Sequence, residues 1–140
     1  MRYLIDTNIF VYLATDVDYL SRDVNALIEE PNTLLYMSTE SVRELIIGFH
    51  NKGLCSKRWK SATEMVKAIE KEFYIKILPL KNEHMLTYSR LNINEVQKHK
   101  DPSDHVIIAH AITENLPLIS SDTRFDFYRS QGLDLIFNKK

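Results

Sequence analysis

Four short apolar stretches punctuate this 140-residue chain, and each sets a carboxylate close to one end. Arg2-Tyr3-Leu4-Ile5 runs into Asp6, and Leu118-Ile119-Ser120-Ser121 runs into Asp122. Leu34-Leu35-Tyr36-Met37-Ser38 leads into a segment carrying Glu40 and Glu44, and Asp101-Pro102-Ser103-Asp104 opens onto Val106-Ile107-Ile108. Apolar strands that alternate with helical segments need crossover connections, hence a mostly parallel sheet covered on both faces. The expected fold class is α/β, a three-layer α/β/α arrangement with a mostly parallel central sheet of about five strands. In such sheets ligands bind at the carboxyl ends of the strands, where these acids fall.

Periodicity and capping signals divide the chain. Strands are expected over 2–5, 33–37, 74–78, 116–119 and 133–137. Helices are expected over 7–14, 19–30, from about 39 to 51, and over 56–73, 82–96, 102–114 and about 124–130. Gly53 stops one helix, and Asp101 caps another with Pro102 at its first position. Three Gly, four Pro and no repeat leave no visible linker, so residues 1–140 are read as one domain.

Composition narrows function. The lone Cys55 excludes an internal disulfide and a cysteine-based zinc site. No apolar run approaches the ~18 residues of a membrane span, and Asp6 interrupts any signal-peptide pattern. The expected compartment is therefore the cytoplasm. A net charge of -1 argues against coating nucleic acid by bulk electrostatics. It leaves room for local basic patches: Lys52, Lys57, Arg58 and Lys60 surround Trp59 with no acid from Asn51 to Thr63. That segment reads either as a solvated helix start or as a phosphate-contacting surface with an aromatic able to stack on a base.

Each acid has an ordinary structural alternative. Asp6 and Asp101 are good helix caps, Glu40 complements a first turn, and Asp104 completes a capping-box-like pair with Asp101. Glu40 and Glu44, four apart, share one helix stripe, with Ile47 and Gly48 beside Glu44 and Glu40 as its fallback. Independent caps have no reason to converge, however. Acids gathered at strand ends would repel and raise one another's pKa values, a penalty that a divalent cation removes. An all-oxygen set suits Mg²⁺ or Mn²⁺. His105 and His110, five apart, do not share a helix face, and no convincing Ser/His/Asp or Cys/His set is present.

Leu4-Ile5-Asp6-Thr7-Asn8, then Ser38 with Glu44-Leu45 and Gly48, Asp101-Pro102-Ser103-Asp104 with Ile108-Ala109, and Ser120-Ser121-Asp122 with Phe125 together resemble the PIN-domain pattern. Order, spacing and length are similar to the VapC-type toxins of toxin–antitoxin modules, up to about Tyr128. The resemblance implies a metal-dependent endoribonuclease with Asp6, Glu44, Asp104 and Asp122 as catalytic, metal-holding acids. It implies Asn8 and Ser120 as supporting residues, Mg²⁺ or Mn²⁺ as cofactor, RNA as substrate, a silencing antitoxin and a homodimer. Ser120 stands where many relatives have Thr, which keeps the hydroxyl. The alternatives are a nuclease of RNA processing, a non-catalytic PIN-like binding module, and a phosphatase or receiver domain. Asp6 lacks the adjacent second acid that a receiver needs.

Overall fold

The computed structural model describes residues 1–139. Five strands, β1 (Arg2–Ile5), β2 (Leu34–Ser38), β3 (Lys76–Leu78), β4 (Leu118–Ser120) and β5 (Leu135–Phe137), form one sheet in the order β3-β2-β1-β4-β5. Every pairing is parallel, and β1 pairs with β2 from Arg2↔Leu34 and with β4 at Ile5↔Ile119. Strand order reverses about β1, and the crevice between β1 and β4 is where such a sheet offers a site.

Alternation along β1 separates two cores. Tyr3 and Ile5 point to one face with Phe10, Leu45, Met65 and Ile69; Leu4 points to the other with Ile107, Ile108, Phe125 and Tyr128. The first face is covered by α1 (Thr7–Thr15), α2 (Arg22–Glu29), α3 (Thr39–Lys52) and α4 (Ala62–Lys71). The second is covered by α6 (Pro102–Glu114) and a 3-10 helix over Thr123–Gln131, while α5 (Asn82–Arg90) packs on α6. The α/β three-layer expectation holds, and the sheet is wholly parallel.

Three helices are shorter than expected. Residues 19–30 divide into a 3-10 turn and α2, because Ser21 accepts a hydrogen bond from Val24 N at 3.2 Å and starts the helix there. Residues 56–73 are helical only as α4. Ser61 caps it by accepting from Glu64 N at 3.1 Å, and Glu64 accepts from Lys60 N at 3.0 Å. Residues 82–96 stop being helical at Arg90, after which Asn94 Oδ1 accepts from Gln97 N at 3.2 Å and competes with helical pairing. At the end of α3, Gly53 takes φ +67, a left-handed conformation that favours glycine.

Candidate active site

The topology of the sheet brings the dispersed acids together. Asp6 follows β1 and caps α1, accepting from Thr7 N at 2.8 Å. Across the crevice, Ser120 at the end of β4 donates its hydroxyl to Asp6 Oδ2 at 2.8 Å and accepts from Asp122 N at 3.1 Å. Glu44 leans in from α3, where Thr7 donates its hydroxyl to Oε1 at 2.5 Å. Asp104 enters from the first turn of α6, which Asp101 caps by accepting from Ser103 N at 3.0 Å. Ligand oxygens of Glu44, Asp101 and Asp104 lie within 4.8 Å of one another.

Electrostatics marks the same place. Asp6, only 4% exposed, has its pKa pushed up to about 7, first by burial and then by the charge of Asp104, against the hydrogen bonds of Ser120 and Thr7. Burial also raises Glu44 to about 7, with Asp6 and Asp101 adding to the effect. Asp104 reaches about 7 through burial and the charges of Asp101, Glu44 and Asp122. Asp122 differs: burial pushes its pKa up, but hydrogen bonds from Arg124 outweigh this and hold it low. Several mutually repelling carboxyls held in one crevice, all of them oxygen donors, suit a hard divalent cation.

Residues around the crevice fix its acids. Asp104 Oδ2 lies 2.9 Å from His99 Nε2, and His99 Nδ1 lies 2.9 Å from the Tyr128 hydroxyl, which accepts from Asn94 N at 3.1 Å. Burial, then the Arg124 charge, lowers the His99 pKa, so a neutral ring donating Nε2–H to the carboxylate agrees with this chain. Glu40 is not among the converging ligand atoms. It pairs with Arg43 at 2.7 Å and accepts from Ser103 Oγ at 2.6 Å. Asn8 is exposed and lines a groove of about 470 Å³ with Thr7, Glu44, Asn51 and Lys52.

The basic segment divides. Trp59 is buried and stacks on Phe10 with ring centroids 6.2 Å apart, so it belongs to the core and is not available to a base. Arg58 pairs with Glu72 at 3.1 Å and donates to Ala14 O at 2.7 Å. Lys57 and Lys60 are exposed, and Lys52 reaches the rim of the acidic groove.

Spacing alone hid His99, Arg124 and Thr7, and showed Asp101 only as a cap. The phrase Asp101-Pro102-Ser103-Asp104 held the clue, since a cap and a first-turn acid three apart face the same helix end. A second group of candidate ligand atoms is formed by His84, His110 and Glu114, of which His84 is already committed. Lys81 N donates to His84 Nδ1 at 2.8 Å, which places the ring proton on Nε2, and Nε2 donates to Glu114 at 2.7 Å. His84 therefore has no lone pair left for an ion, although His110 Nε2 makes no hydrogen bond among the described residues.

A parallel sheet with an acidic crevice at its switch point defines an α/β protein whose clustered carboxylates are compatible with a divalent cation. The profile of the PIN domain matches residues 3–130, and the chain belongs to that family. Its structural neighbours include chains of VapBC toxin–antitoxin systems. A chain of VapBC2 from Rickettsia felis, bound to a promoter DNA fragment, superimposes with a TM-score of 0.74 at 21% identity, covering 99% of this chain and 100% of that one. A chain of VapBC-1 from nontypeable Haemophilus influenzae gives 0.70 at 25% identity, with both chains fully covered. One from VapBC-5 of Mycobacterium tuberculosis, a member of the VapBC family of toxin–antitoxin systems, gives 0.65 at 16% identity, covering 99% and 98%. A comparison with curated protein sequences found no match.

Proposed function

We propose that this protein is a Mg²⁺- or Mn²⁺-dependent endoribonuclease, acting as the toxin of a toxin–antitoxin pair. One observation carries the reading: ligand oxygens of Glu44, Asp101 and Asp104 gather within 4.8 Å, beside a buried Asp6 coupled to the same charges. Membership of the PIN family and the VapBC neighbours support it.

Glu44, Asp101 and Asp104 would hold the ion together with the buried Asp6, and Asp122 completes the acidic set. When bound, the ion lowers the pKa of a water, screens the phosphodiester and stabilises the leaving oxygen. Ser120 and Thr7 keep Asp6 and Glu44 in place by donating to them. Asn8, exposed on the groove, offers an amide to the substrate. The attacking water gives up one proton as its oxygen bonds to phosphorus, the bond to the 3′ oxygen breaks, and that oxygen takes up a proton. The products carry a 5′-phosphate and a 3′-hydroxyl. Lys52, Lys57 and Lys60 supply positive charge along the strand's path. The VapBC likeness supports an antitoxin partner, and a homodimer is part of the same proposal. Among the described residues no helix is long and apolar enough to cross a membrane.

The test is incubation of purified protein with total RNA in Mg²⁺, Mn²⁺ or EDTA, followed by sequencing of the new ends. Cleavage is expected with either metal, none with EDTA, and none from Asp6→Asn. Metal-dependent cutting by Asp6→Asn equal to wild type would remove Asp6 from the mechanism.

A further inference from the structure

Arg124 stands beside a second group of candidate ligand atoms in the crevice. Asp104, Asp122 and His99 form one group of candidate ligand atoms within 4.8 Å. Arg124 already engages both oxygens of Asp122: Nε donates to Oδ1 at 3.0 Å and Nη2 to Oδ2 at 2.6 Å, while its backbone N donates to Oδ1 at 2.9 Å. The same Nη2 lies 3.9 Å from Asp104 Oδ2, the oxygen that also meets His99. A guanidinium stays charged at every physiological pH, so an ion at this position would face a fixed like charge. Glu44 and Asp101 form a separate group with Asp104 that does not include Asp122. Nη1 makes no hydrogen bond among the described residues, and the side chain is 36% exposed, which leaves part of the planar fork open to a phosphate.

We propose that Arg124 takes the place of a second divalent ion, so that the chain holds one ion and presents Arg124 to the substrate phosphate. This rests on the nuclease reading above. Mn²⁺ titration followed by calorimetry and electron paramagnetic resonance tests it without reference to turnover. One tight ion per chain is expected in wild type and two in Arg124→Ala, because Asp122 is then free to ligate. Arg124→Gln is expected to repeat the change while keeping a polar head, and circular dichroism shows that each variant is folded. At Mn²⁺ concentrations that fill only the first position, cleavage by either variant is expected to fall about 100-fold or more, the usual effect of losing one charge-stabilising donor. Two tight ions in wild type, one ion in both variants, or undiminished cleavage overturns the proposal and leaves the nuclease reading standing. Absence of any saturable Mn²⁺ binding in wild type overturns both.

Discussion

Asp6 sits where an ionised group is hardest to keep, at the bottom of a crevice shared with other acids. Its pKa rises from 3.8 in the unfolded chain to about 7 in the fold. Between those values the folded state binds more protons than the unfolded one, so stability falls as pH rises through the window. Glu44 and Asp104 act in the same direction. His110, held down to about 4 chiefly by burial, contributes the opposite slope below its unfolded value of 6.5. Comparison with Asp6→Asn isolates the acid. In EDTA, wild type is expected to lose more melting temperature between pH 5 and pH 8 than Asp6→Asn does; equal losses would show that Asp6 ionises without penalty. Ser120→Ala tests the support of Asp6. Losing this buried donor should cost about 1 kcal/mol of stability and roughly 10- to 100-fold in Mn²⁺ affinity, read by denaturation and calorimetry.

At the level of elements, local chemistry set what was readable. Asp101-Pro102 announced α6 because a cap and a first-position proline act within one turn, and Gly53 ended α3 for the same reason. The start of α4 was equally local, in the spacing Ser61-x-x-Glu64, but the apolar stripe running through Trp59 masked it. Trp59 is apolar at helical spacing because it packs under α1, not because its own segment is helical. Ser61→Ala should therefore destabilise the protein by about 1 kcal/mol and leave Mn²⁺ affinity unchanged. Gly48 behaves otherwise. A Cβ there would meet Leu54 Cδ2 at 2.8 Å, in the wall of the groove beside Glu44. Gly48→Ala is expected to displace Leu54, lower the melting temperature and weaken RNA cleavage more than metal binding. The candidate acids were legible as strand-end and first-turn residues. His99 and Arg124 were not, because their contacts with Asp104 and Asp122 depend on how two loops fold back on the crevice.

Across the whole molecule, β1, α3 and α6 each bring an acid to one crevice, and only the parallel sheet order makes them neighbours. That arrangement stores repulsion in the metal-free fold, and an ion that binds only the folded state relieves it. Binding of this kind stabilises by about 2.7 kcal/mol when the ion is present at 100 times its dissociation constant. Mn²⁺ should therefore raise the melting temperature, and should do so more at pH 8 than at pH 5, where protons compete for the same carboxyls. Ion uptake below pH 7 should also release protons, which calorimetry detects as a dependence of the binding heat on buffer ionisation. Asp104→Asn, which takes an acid from the centre of the set, should abolish both the stabilisation and the proton release. If Mn²⁺ raised the melting temperature of that variant as much as that of wild type, the ion would be binding elsewhere, and the convergence of these elements would have another purpose.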